Sequence, residues 1–258
     1  MTFVVFAGPT IPHDQARQLL DAEFLPPASQ GDVLRAARGR PWGIGIIDGY
    51  FNSVPSVWHK EILWAMSNGV HVYGASSMGA LRAVELESFG MVGVGSVFEA
   101  FRSGSLEDDD EVAVVHGPAE AGYFKGSDAL VNIRATLASA AGQGVISEET
   151  RASLTDVAKS LFYPDRRYDR VLADGAAAGV SCDECERLRG WLVAGRVDVK
   201  RDDALALLKR MAFDAAQSSA PKHVSFHFHE TVLWSQLWSQ SEPGDACARA
   251  GATAASGD

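Results

Sequence analysis

Three short apolar runs punctuate the first hundred residues, and each closes on small or turn-forming side chains. "TFVVFAG" ends at Gly8-Pro9, "WGIGIIDGYF" carries Asp48-Gly49 near its end, and "VHVYGAS" runs into Ser76 and Ser77. Brief runs rich in β-branched and aromatic residues, apolar at successive positions, predict buried strands. Between them the apolar positions recur with helical spacing. "HDQARQLL" predicts a short helix, and Asp32 opens a second one after Pro26 and Pro27 break the chain. In "SVPSVWHKEILWAMSNG", Val57, Ile62, Leu63 and Met66 fall near a helical period, with Ser53 as cap, Pro55 in the first turn and Gly69 as stop. "MGALRAVELESF" is the helix that follows the third run.

This alternation predicts the α/β class: an N-terminal α/β layer over residues 1–118 with a small, mostly parallel sheet and helical crossovers. In such a layer functional groups collect where strands end and helices begin. Gly8-Pro9-Thr10, Asp48-Gly49-Tyr50 and residues 74–78 all lie at such ends. Beyond "EVAVVHGP" the texture changes. Residues 119–216 are rich in Ala, Leu, Arg and Glu, with helical periodicity in "DALVNIRATLASAA", "SEETRASLTDVAKSL" and "RDDALALLKRMAF", so a helical region is expected. Residues 217–258 have little to bury and read as a largely disordered tail.

Composition narrows the function classes. Of 258 residues, 47% are apolar, enough for a sizeable core, and the net charge of −10 argues against nucleic acid or an anionic membrane as the main partner. Three cysteines do not make a disulfide scaffold. The N-terminus has no basic segment before its apolar residues, and no apolar run nears the ~20 residues needed to span a bilayer. The expectation is a reduced, cytoplasmic protein.

The chemistry-bearing stretch is "GASSMGALRAVE", residues 74–85. A hydroxyl becomes a useful nucleophile when a sharp turn presents it beside a base and beside backbone N–H groups that hold an oxyanion. A glycine-flanked strand-to-helix turn offers this, although small residues also serve there for packing alone. The string "SSMGA" resembles the serine turn of Clp-type peptidases, which places attack on Ser77 rather than Ser76. For the base, "WHKEI" offers Lys60, if desolvation lowers its amine, or His59; a solvated helix face is the plainer alternative. The run Asp108, Asp109, Asp110 and Glu111 lacks the interleaved spacing of a metal loop and reads as a solvated loop that anchors a basic partner or pairs with Arg82. The lone C-x-x-C of Cys182 and Cys185 lacks a second ligand pair, and His227 with His229 is a weak metal pair near the tail. Neither a metal nor a cofactor is expected.

"FAGPT", "PPASQGD", the long stretch from "IIDGYF" through "WHKEI" to "GASSMGALRAVELESFGMVGVG", and "DDDEVAVVH" together resemble the TfuA-like family, strongly over residues 3–120 and loosely to about 215. The resemblance implies an accessory protein for YcaO-dependent peptide backbone thioamidation. Such a protein releases sulfide from a thiocarboxylated ThiS-like sulfur carrier and helps the YcaO-type enzyme hold its substrate peptide. It further implies a serine–lysine pair, which falls on Ser77 and Lys60 in this numbering. Met78, Gly79 and Gly49 are then the oxyanion donors, with His59, Asp48, Ser76, Arg82 and Thr10 in support. The other reading is a non-catalytic adaptor that joins carrier, YcaO enzyme and peptide.

Overall fold

The computed structural model describes residues 1–51 and 54–241. Five strands, β1 Phe3–Phe6, β2 Glu23–Leu25, β3 Gly43–Ile46, β4 His71–Ala75 and β5 Val92–Val94, form one sheet in the order β2-β1-β3-β4-β5. Every neighbouring pair is parallel. The expected α/β class is therefore what is observed. β2 and β5 escaped the sequence reading because each is only three residues long. The helices on the sheet are α1 His13–Arg17, α2 Asp32–Arg38, α3 His59–Ser67, α4 Met78–Leu86 and α5 Ser96–Arg102. A helical group follows: α6 Leu130–Gly142, α7 Glu148–Ser160, α8 Tyr168–Ala177 and α9 Cys182–Gly195. Last come α10 Val199–Gln217 and α11 Val232–Gln240.

Alternation along the strands sorts the core into two layers. Val4, Phe6, Ile44, Ile46 and Val72 face α2–α5, while Val5, Ala7, Tyr73 and Ala75 face the other way. That second face is covered by α1 and by α10, whose Ala204, Leu207, Leu208 and Met211 are fully buried on it. A Cβ at Gly45 of β3 would stand 2.9 Å from the Met211 sulfur, so glycine there lets α10 lie close on the sheet. α10 is thus a sheet-covering helix supplied from beyond the helical group. Its Asp203 also caps α5 from the side, accepting from the Ser96 and Val97 N–H groups at 2.8 Å each.

Helices α6–α9 keep a separate core of Leu130, Ile133, Leu137, Leu154, Leu172 and Leu188. The expectation of disorder from 217 onward does not hold up to residue 241. Residues 218–231 run along the base of α3 and β4, where Lys222 N–H donates to the Gly69 carbonyl at 2.8 Å. α11 then buries Trp234 and Leu237 against Leu34, with Trp58, Trp64 and Phe228 around them. The sequence ahead of α11 is polar, but its Phe228, with Trp234 and Leu237 of α11 itself, supplies enough apolar surface to dock. Residues 242–258 lie outside the described residues, as does Ser53.

α3 starts at His59, later than the periodicity suggested, because Glu61 and not Pro55 organises its beginning. The buried Glu61 carboxylate accepts from the Trp58 N–H at 3.1 Å and, across the helix pair, from the Leu34 N–H at 3.1 Å. Burial outweighs these bonds and raises its carboxyl to about 7.

Candidate active site

β4 ends at Ala75, and the chain reverses into α4 within two residues. Ser76 takes φ 66°, a left-handed conformation that costs a non-glycine residue roughly 1 kcal/mol or more. The Ser77 N–H folds back onto the Ala75 carbonyl at 2.7 Å. α4 can press this tightly on the sheet because residue 79 is glycine: a Cβ there would lie 1.7 Å from the Ile46 carbonyl oxygen. The turn sends its two hydroxyls to two atoms of one residue. Ser76 Oγ donates to the Lys200 carbonyl at 2.6 Å, and Lys200 Nζ donates to Ser77 Oγ at 3.2 Å. Both serines are buried.

Lys200, in the first turn of α10, is only 2% exposed. Its Nζ also donates to the Val112 carbonyl at 2.7 Å. Burial pushes its amine down from the ordinary lysine value to about 8, against the pull of the Asp48 carboxylate, which favours the cation. A serine hydroxyl beside a desolvated lysine close to neutrality is a nucleophile–base arrangement. The lysine that meets Ser77 is therefore Lys200 and not Lys60. The Lys60 side chain is half-buried, donates to Thr231 Oγ1 at 3.3 Å and lies 5.4 Å from the centre of the Phe228 ring. Within "WHKE" it is the glutamate that turns inward, and the lysine beside it is carried outward by helical geometry.

Asp48 sits where the sheet order reverses, between the ends of β1 and β3. Its carboxylate accepts from the Gly8 N–H at 2.9 Å, the Thr10 N–H at 3.1 Å and Thr10 Oγ1 at 2.6 Å. Asp48 and Thr10, both named from sequence, are thus brought together and tie the first strand end to the third. A cavity of about 350 Å³ opens there, lined by Asp48, Gly49, Tyr50, Ser77, His116 and Tyr163 among others. A smaller one of about 140 Å³ lies behind Val114, and Lys200 forms part of its wall. Ser77 thus opens to one cavity and its lysine to another.

The remaining expected residues fall outside this arrangement or meet other partners. His59 Nε2 pairs with Glu85 at 2.7 Å, and Arg82 reaches Glu85 at 2.7 Å and the Val57 carbonyl at 3.0 Å, not the acidic run. The Gly79 N–H is directed to the Ile47 carbonyl at 3.4 Å, which leaves the Met78 N–H, on the first residue of α4, as the better-placed oxyanion donor. The acidic run is engaged by the chain itself. Lys159 meets Asp108 and Asp110 at 2.8 and 2.9 Å, the buried Arg166 meets Asp110 at 2.7 Å, and Arg134 grips Glu111 with two bonds of 2.9 and 3.0 Å. The run, Asp109 included, forms a short turn that pins α6–α8 to the sheet one residue before Val112, so most of its charge is satisfied internally.

Cys182 is exposed and Cys185 buried, with the Cys185 thiol pushed up by burial. The His227 and His229 rings lie 4.7 Å apart. Among the described residues no group of three or more His, Cys, Asp or Glu side chains is placed to hold a metal. No helix among them is long and apolar enough to cross a membrane.

Sequence reasoning missed Lys200, although a signal was present. Lys200 stands at i with Ala204, Leu207, Leu208 and Met211 at i+4, i+7, i+8 and i+11, so a cation occupies the apolar stripe of its own helix. His116 was also missed. Its ring lies 5.7 Å from both Tyr50 and Tyr123, inside an aromatic group that only the fold assembles.

Comparison with known proteins adds one finding. The family model described as "TfuA-like protein" matches residues 48–167, a segment that contains Asp48, Ser77 and Val112 and stops short of Lys200. No curated protein matches the chain.

Proposed function

We propose, from the premise that the chain belongs to the TfuA-like family over residues 48–167, that it is an accessory hydrolase of peptide backbone thioamidation. It acts alongside a YcaO-type enzyme and releases sulfide from a thiocarboxylated ThiS-like carrier. The observation that carries the chemical part is the buried contact of 3.2 Å between Lys200 Nζ and Ser77 Oγ.

The steps follow from that contact. Neutral Lys200 takes the Ser77 proton as Oγ bonds to the thiocarboxylate carbon. The developing oxyanion is held by the Met78 N–H, at the positive end of α4. The tetrahedral adduct collapses with cleavage of the C–S bond, and Lys200 returns the proton to the departing sulfur, giving hydrosulfide and an acyl-serine. Water, deprotonated by the same amine, then cleaves the ester and frees the carrier carboxylate. Hydrosulfide leaves readily, so no separate acid is needed. With an amine near 8, about one molecule in ten carries neutral Lys200 at pH 7, and the rate climbs with pH through that value.

The test is sulfide release from a thiocarboxylated carrier by the purified chain, without the YcaO enzyme. Ser77→Ala and Lys200→Ala are each expected to lower kcat/KM about 10³-fold or more, with the double variant scarcely worse, since paired groups act as a unit. Lys60→Ala is expected to stay within about three-fold of wild type, because a lysine bonded to Thr231 and not to Ser77 has little part in the barrier. Wild-type release by Ser77→Ala would sink the hydrolase reading and leave the chain an adaptor between carrier, peptide and YcaO enzyme.

A further inference from the structure

Residues 115–126 form a hairpin whose two arms touch opposite sides of the site. His116 and Lys125 face each other as an antiparallel bridge, flanked by bonds from the Gly117 N–H to the Phe124 carbonyl at 2.9 Å and from the Gly126 N–H to the Val115 carbonyl at 2.8 Å. The first arm places Val115 and His116 in the wall of the cavity that holds Ser77. The second arm sends Lys125 into the rear cavity, where its Nζ donates to Asp198 Oδ2 at 2.9 Å.

Asp198 is the cap of α10. Its Oδ1 accepts from the Arg201 N–H at 3.1 Å and from Asn132 Nδ2 at 2.8 Å. Asn132 Oδ1 in turn accepts from the Lys200 N–H at 3.3 Å. A continuous chain of bonds therefore runs from the hairpin through Lys125, Asp198 and Asn132 to the backbone of the lysine that serves Ser77. We infer that Lys125 is a positioning residue for the Ser77–Lys200 pair, so that the hairpin lining the substrate cavity also governs when Lys200 can take a proton. This rests on the proposed role of Ser77 and Lys200.

The charges around Lys200 support the direction. Asp48 faces it from the end of β3, and Asp198 lies on its own helix; both carboxylates favour the ammonium form. Lys125 opposes them, both as a nearby cation and as the partner that neutralises Asp198. The other charged groups of the rear cavity, Asp128 and Arg196, face each other at 3.9 Å, and the Tyr168 hydroxyl there donates to Thr136. With the hairpin seated, the balance lets the buried amine give up its proton. With Lys125 withdrawn, Asp198 and Asp48 act unopposed and hold the proton on Lys200.

The experiment is an NMR titration of the full chain labelled with lysine carrying ¹³C at Cε, the Lys200 signal being assigned by its loss in Lys200→Met. Lys125→Met is expected to move the Lys200 midpoint to higher pH by about half a unit or more, and Asp198→Asn, which can still cap α10, to move it lower. Lys125→Arg is expected to leave it in place. An unchanged midpoint in Lys125→Met, or shifts of the same sign in the two charge-removing variants, would overturn the inference, because a merely structural contact has no reason to give opposite signs. Should Lys125→Met fail to fold, Lys125→Gln takes its place, with the same upward shift expected and an unchanged midpoint overturning the inference. The readout does not depend on turnover, so active Ser77→Ala together with the expected midpoints would discard the hydrolase reading and leave the electrostatic coupling standing.

Discussion

Lys200→Met separates the cost of burying an amine from everything else that residue does. In the folded chain the amine sits near 8, against 10.5 for the free side chain. Below pH 8 wild-type protein therefore carries a penalty of about 3 kcal/mol, from roughly 1.4 kcal/mol per pH unit of displacement. The sign is fixed by linkage. Between the two values the unfolded chain binds the extra proton, so stability rises with pH across that window and levels off above it. Methionine has similar length and no charge, so it lacks the penalty. It also strips the Val112 carbonyl of its donor, a cost of about 1–3 kcal/mol that does not vary with pH. At neutral pH the two effects nearly cancel, and a single measurement there says little. The difference between variant and wild type is informative as a slope. Urea unfolding from about pH 6.5 to about pH 10 should show wild type gaining about 2–3 kcal/mol on Lys200→Met. The other lysines titrate identically in both proteins and drop out of the difference. A flat difference across that range would mean that Lys200 is not held in a desolvated pocket, and the base assigned to Ser77 would lose its rationale.

Two further outcomes follow from packing. Gly79→Ala forces a methyl group onto the Ile46 carbonyl, a backbone atom that cannot swing aside, and is expected to destabilise by about 3 kcal/mol or more, read as a lowered urea midpoint or loss of folded protein. Arg166→Met removes the donors to the Ala158, Asp110 and Leu161 carbonyls and to the Asp110 carboxylate, and should cost about 3–5 kcal/mol in thermal or urea unfolding; a change below about 1 kcal/mol would mean that the acidic turn does not pin the helical group.

The parts legible in the sequence were those set by local pattern. The strands ending at Gly8, Asp48 and Ser76 announce themselves by short apolar runs, and the parallel layer follows from their alternation with helices. Ser77, Asp48 and Thr10 could be named because they sit at strand ends, where such layers gather their polar groups. The sequence points to Lys60 through the resemblance of "WHKE" and through its nearness to Ser77 along the chain, and neither is a measure of proximity in space. "VDVKRDD" looks like a solvated charged segment, and what buries its lysine is the sheet face waiting for α10, a long-range fact. The same limit applies to the acidic run, whose partners Arg134, Lys159 and Arg166 come from α6, α7 and the turn before α8. The aromatic content of residues 224–238 did contain the signal for a docked α11, but it was outweighed by the polar residues around it.

The contact between Ser77 and Lys200 spans 123 positions of chain. On a ribosome adding about 5–20 residues per second, the serine turn emerges several seconds before the lysine that faces it. Strands β1 to β5 and helix α4 can form in that interval, but one face of the sheet lacks α10 and Ser77 has no amine beside it. A prematurely terminated chain ending within the helical group would hence carry an unarmed serine on an incompletely covered sheet. The arrival of Lys200 beside Ser77 coincides with closure of the second hydrophobic layer, because the same helix, α10, brings both.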